Sequence, residues 1–270
     1  MPPKSRTYQP ARVRAALAAQ NEALRAAVHR LTAEDLERPT RLGTWRVREL
    51  VAHLSLVLDR LPAQLTGPEP AGAPLSLSRF TELTAAVAET VDAEVAAHVA
   101  AGFTGPPGEV AARFDRSVDA ARAAVDGTAD DGPGRPVAMR FGPMALSDFL
   151  VTRLVETVVH ADDLAGALGP AEFPHDRQAV AAVTRLLADA FADRVPGGAV
   201  ELRVPPYAVV QAVEGPRHTR GTPPNVVETD PLTWIRLATG RVAWPAVAGT
   251  AALSASGERS DLRGYLPLLG

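Results

Sequence analysis

Residues 146–168 read LSDFLVTRLVETVVHADDLAGAL, and this stretch decides how the rest of the chain is read. At roughly 100° per residue, Arg153, Glu156, His160 and Asp163 fall on one stripe of a helix. Val151, Leu154, Val155, Val158 and Val159 cover much of the remaining circumference. A helix that is apolar on most sides is buried on most sides, so its carboxylate and imidazole need partners that water cannot supply. A divalent metal ion is one partner that suits Glu156 and His160 together; a hydrogen-bonded core pair is the other.

Working outward, Val13, Leu17, Leu24, Val28 and Leu31 recur at helical spacing within 11–31, and Val47, Leu50, Val51, Leu54, Leu58 and Leu61 give a second amphipathic helix over about 45–61. His53 lies on the flank of that second face. From there it can meet Glu156 and His160, making two imidazoles and one carboxylate with an open position, or it can be a boundary histidine. Thr32 to Thr44 reads as a polar connection, and 61–78, with Pro62, Pro68, Pro70 and Pro74, as a long loop able to cover a site. Helical patterns at about 77–101 and 109–125 follow, separated by GFTGPPG and closed by DGTADDGPGRP. Residues 1–172 therefore read as an all-helical bundle, in which ligands from separate helices can meet in the core.

The texture changes after Pro170. A helix at about 176–193 leads into β-branched segments at 200–204 and 207–213, and Asp230 with Pro231 reads as the cap and first position of a helix that Gly240 closes. Residues 173–270 are expected to form a smaller α/β domain, giving a two-domain α + α/β chain.

The stripe holds further candidates. Arg153 can neutralise Glu156 or bind a substrate carboxylate in bidentate fashion. Asp163 can accept from His160 and orient it, or be solvated at the helix end. Arg217 and Arg220 flank His218 in GPRHTRGTPPN, either an anion-binding loop or a solvated turn. His29, His98 and His175 show no ligand spacing and read as surface residues.

With 270 residues, 46% hydrophobic content and net charge −3, the chain has material for sizeable cores and no basic excess for nucleic acid or an anionic membrane. Every basic residue except Lys4 is arginine, which suggests a GC-rich coding sequence. Only 5% of residues are aromatic, and there is no phosphate-binding glycine loop or nucleophile elbow. Trp45, Trp234 and Trp244 read as packing residues. No apolar run suits a signal peptide or a bilayer span, so the expected compartment is the cytoplasm and no membrane insertion is expected. There is no cysteine, and any thiol chemistry must use a thiol from outside the protein.

TWRVRELVAHLSLVLDRL (44–61), with His53, and FLVTRLVETVVHADDLAGAL (149–168), with Glu156 and His160, resemble the two signature segments of the mycothiol-dependent maleylpyruvate isomerase family. LRVPPYAVVQAVEGPRHTRGTPPNVVETDPLTWIRLATGR (202–241) is similar to sterol-carrier-like domains of actinobacterial proteins. The resemblance implies a DinB-like up-and-down helical bundle that binds a divalent metal, typically zinc, through His53, Glu156 and His160, followed by a sterol-carrier-like domain. It further implies mycothiol or another low-molecular-weight thiol as cofactor and a small-molecule substrate. The expected chemistry is isomerisation, by addition of thiolate to a cis double bond, rotation and elimination, or thiol transfer that stops after addition or displacement. Arg153, Arg217 and Arg220 are the candidates for holding an anionic substrate. The competing expectation is a non-catalytic carrier of an apolar ligand, with the bundle structural or regulatory. Oligomeric state is left open.

Overall fold

The computed structural model of the chain describes residues 6–84, 88–169, 172–215 and 224–269. The described residues of 8–75 and 87–179 form one compact unit, and those of 1–7, 76–86 and 180–270 a second. The fold class is the one expected, a helical bundle and an α/β unit.

Along the chain, α1 (Pro10–Val28) starts with Pro10 in its first turn, where a missing N–H costs nothing. A one-turn α2 (Ala33–Leu36) interrupts the expected connection, because Thr32 and Asp35 close a reciprocal capping box around it. Next come α3 (Val47–Asp59) and α4 (Leu61–Thr66). The proline-rich segment from 61 thus begins as helix, since Pro62 sits in the first turn. The single helix expected over 77–101 is two, α5 (Leu77–Leu83), which belongs to the second unit, and α6 (Ala88–Gly102), which belongs to the bundle. After α7 (Pro107–Asp126), an antiparallel hairpin that the sequence reading missed, β1 (Pro136–Met139) and β2 (Gly142–Ala145), leads directly into α8 (Leu146–Leu168). Its strands are four residues long and are joined by a turn at Arg140 and Phe141, after which Gly142 opens β2 with φ 127°, a backbone conformation that favours glycine.

In the bundle α1 and α3 are each flanked by α7 and α8. The α8 helix is buried on nearly all sides, with Leu150, Val151, Leu154 and Val158 at 0% exposure. The α3 helix buries Val47, Leu50, Val51, Leu54 and Leu58 completely. Each such side chain contributes about 1.5–3 kcal/mol, which holds the polar residues of the two helices in fixed positions.

The second unit contains most of α9 (Arg177–Arg194) and a four-stranded sheet in the order β4-β3-β5-β6, formed by β3 (Val200–Val204), β4 (Ala208–Ala212), β5 (Val226–Thr229) and β6 (Leu253–Ser256). The β3 strand pairs antiparallel with β4 and parallel with β5, and its Val200, Leu202 and Val204 alternate into the core. As expected, the Asp230 side chain caps α10 (Pro231–Ala238), accepting from the Thr233 N–H at 2.9 Å. Trp234 is fully buried and meets Phe191 edge to face, and α11 (Trp244–Val247) buries Trp244. Among the described residues, no helix is long and apolar enough to cross a membrane.

Candidate metal centre

His53 from α3 and Glu156 and His160 from α8 converge. One ligand atom of each lies within 4.8 Å of the others, and this is the only such group of three His, Asp or Glu side chains among the described residues. The Nε2 of His53 is 3.4 Å and the Nε2 of His160 3.5 Å from the same Oε2 of Glu156. The two imidazoles meet edge to face at 4.6 Å. The group is not sealed, because Glu156 keeps 24% of its side chain exposed while the two histidines keep 10% and 12%.

The two imidazoles are held differently. His160 directs Nδ1 at the Asp163 Oδ2, 2.9 Å away, which leaves Nε2 facing Glu156. Asp163 is fully buried and its other oxygen accepts from Arg41 Nε at 2.6 Å. The Nη2 of the same guanidinium meets Asp162 Oδ2 at 2.5 Å. His53 has its ring 5.2 Å from that of Trp45, and its buried Nδ1 has no hydrogen-bond partner among the described residues. His53 is therefore oriented by packing and His160 by a carboxylate.

Burial lowers the pKa of His53 and keeps it neutral, against the opposing pull of Glu156. Burial opposes the ionisation of Glu156 too, yet the hydrogen bonds from His160 and His53 outweigh it and hold that carboxyl well below its usual range. For His160, burial is outweighed by Asp163 and Glu156, and its pKa is raised.

Two nitrogen donors and one ionised oxygen form a set suited to a divalent ion with coordination positions to spare. Among the described residues no arginine or lysine pairs with Glu156, whose ion-pair partners are the two imidazoles.

Arg153 is not within ion-pair distance of Glu156. Its guanidinium is buried, stands 5.2 Å over the Phe149 ring, donates to Thr152 Oγ1 at 3.1 Å and forms no ion pair among the described residues. Burial lowers its pKa, with the charge of Glu156 acting in the opposite direction. Arg217 and Arg220, with His218, lie outside the described residues. His29 is exposed as expected; His98 and His175 are half-buried and hydrogen-bonded to Ser55 and Gln20. Sequence reasoning missed Arg41. The available signal was the consecutive Asp162 and Asp163 at the end of a buried helix, a pair that requires a cation from elsewhere.

Fold and donor set together define a two-domain protein whose helical half carries a cluster of metal-ligand type. The family model described as mycothiol maleylpyruvate isomerase N-terminal domain matches residues 17–165, and that described as bacterial SCP ortholog matches residues 176–268. The first spans more than half of the chain, which belongs to the mycothiol maleylpyruvate isomerase family. Among solved structures, that of a mycothiol-dependent maleylpyruvate isomerase is similar over 97% of both chains, with a TM-score of 0.63 at 17% identity. A histidine-to-alanine mutant of that isomerase is similar over the same shares, with a TM-score of 0.62 at 15% identity. At these identities the likeness is one of fold. No curated protein sequence matches the chain.

Proposed function

We propose that the chain is an enzyme in which His53, Glu156 and His160 hold a divalent metal, zinc, and which uses mycothiol or a similar small thiol to isomerise, or transfer the thiol to, a small anionic electrophile. The observation that carries this reading is the convergence of two imidazole nitrogens and one ionised carboxylate oxygen, with no arginine or lysine among the described residues paired to them. Bound there, the ion would supply Lewis acidity that favours the thiolate form of a thiol at neutral pH. A protein without cysteine has no thiolate of its own to offer.

The chain's own groups have distinct tasks in this reading. His53 presents a neutral Nε2, and Asp163 accepts from His160 Nδ1 so that His160 Nε2 stays directed at Glu156. Arg153, a buried cation that among the described residues donates to the Thr152 hydroxyl, attracts and orients a carboxylate of the substrate. Arg217 and Arg220 complete the anion-binding part of the proposal. The limits at 1–172 and 173–270 belong to it too, and the two family matches end at 165 and start at 176 around them.

The test is to load the protein with Co²⁺ and add mycothiol. A change in the visible spectrum supports the reading, and a spectrum indifferent to the thiol removes the thiolate chemistry. Arg153→Met is expected to weaken binding of a maleate probe by about tenfold or more. The match of residues 176–268 to bacterial SCP proteins favours a second reading, carriage of an apolar ligand. Tight lipid uptake that ignores the metal would support it.

A further inference from the structure

The centre has two imidazoles, and one loop touches His53 and the carboxylate that accepts from His160. Residues 40–46, TRLGTWR, form a turn closed by their own hydrogen bonds: Thr40 N–H to Trp45 O at 2.9 Å, Thr40 Oγ1 to the same oxygen at 2.7 Å, Trp45 N–H to Leu42 O at 3.0 Å and Leu42 N–H to Thr40 Oγ1 at 3.1 Å. Gly43 supplies the left-handed residue, φ 57°. An isolated bridge between Pro39 and Arg46 closes the base, and Arg38 Nη1 donates to Leu168 O at 3.0 Å, at the end of α8. From this braced turn Trp45 lies against His53 and Arg41 grips Asp162 and Asp163.

We propose that Arg41 is a positioning residue of the centre, holding the Asp163 carboxylate so that it takes the His160 Nδ1–H and aims His160 Nε2 at Glu156. This rests on the metal reading of His53, Glu156 and His160. A carboxylate that accepts one hydrogen bond from a ring can still rotate, and the ring rotates with it. The bond from Arg41 Nε to Asp163 Oδ1, 2.6 Å long, adds a constraint on the carboxylate plane. Successive helical residues point roughly 100° apart, so Asp162 and Asp163 diverge. The planar guanidinium spans both through Nε and Nη2, a geometry that a lysine ammonium cannot reproduce. Arg41 thus acts on His160 through Asp163, while Trp45 acts on His53 by contact.

The experiment compares wild type, Arg41→Ala, Arg41→Lys and Asp162→Asn by zinc affinity, by the visible spectrum of the Co²⁺ form and by the ¹⁵N-resolved tautomer of His160 in metal-free protein. Arg41→Ala is expected to weaken zinc binding about 10–100-fold, alter the Co²⁺ spectrum and mix the two His160 tautomers. Arg41→Lys recovers little of this, and Asp162→Asn, which leaves the Asp163 contact in place, stays near wild type. Should Arg41→Ala fail to fold, Arg41→Gln carries the same comparison. Wild-type zinc affinity, spectrum and tautomer in the alanine variant, even with a lower melting temperature, would reduce Arg41 to a structural tether and overturn the proposal. If wild type itself binds no metal, the reading of the centre falls, and the tautomer alone decides on Arg41: Nδ1–H in wild type and a mixture in the variant supports it, and no difference refutes it.

Discussion

Two buried polar clusters use opposite faces of α3, and both contain a histidine and an acid, yet they are built to different rules. On one face, Ser55 Oγ meets Ser117 Oγ at 2.7 Å and His98 Nε2 at 3.2 Å, Arg113 donates to Ser117 at 2.8 Å, and Arg113 pairs with Asp59, which lies 3.5 Å from His98. Its donors meet acceptors and its anion has its cation. On the other face, His53 Nε2 and His160 Nε2 both face Oε2 of Glu156, and among the described residues no arginine or lysine joins them. A histidine and a carboxylate inside a helical bundle are therefore not themselves the mark of a metal site. What separates the two clusters, among the described residues, is whether an arginine pairs with the acid.

The comparison breaks or sharpens in several ways. The largest expected effect is on metal content: Glu156→Ala or His160→Ala removes bound zinc, whereas Asp59→Asn leaves it intact, as elemental analysis of the purified proteins would reveal. A smaller effect is on heat stability. Zinc at a hundredfold excess over its dissociation constant should stabilise wild type by about 2.7 kcal/mol, a rise of about 5–10 °C in calorimetry that Glu156→Ala abolishes. In the saturated cluster, Arg113→Met leaves Asp59 without its cation and should cost about 1.5–3 kcal/mol in urea unfolding, with zinc content unchanged.

Acid should act on the two clusters through different histidines. His160 has a raised pKa, so it is protonated and unable to ligate below a value above 6.5, and zinc affinity should rise with pH through that region by about tenfold per pH unit for each proton released. A competition titration across pH 6–8 checks this, and a flat profile would contradict it. His98 has a pKa lowered by burial. The unfolded chain therefore takes up that proton first, and the folded state loses stability as pH falls below about 6.5. His98→Gln should flatten that part of the metal-free stability profile, the smallest of these effects.

Much of this was legible in the sequence wherever a long pattern carried the signal. The apolar circumference of α8 and the face of α3 made both helices readable, and the same pattern made His53, Glu156 and His160 conspicuous as polar residues in apolar surroundings. Short elements escaped. The hairpin β1–β2 and the strands β5 and β6 have four residues each, too few for a period to register. Pro62 read as a helix stop although it stands in a first turn. Long-range partners escaped for another reason. Arg41 is 122 residues from Asp163 in the chain, and His98 takes its partners from α3, so neither role follows from local spacing.

The most direct test is zinc stoichiometry in three proteins purified without chelator: wild type, His53→Ala and His98→Ala. One ion per chain in wild type and His98→Ala, with none in His53→Ala, is the predicted result. Zinc retained by His53→Ala, or lost from His98→Ala as readily, would contradict the assignment of the centre to His53, Glu156 and His160.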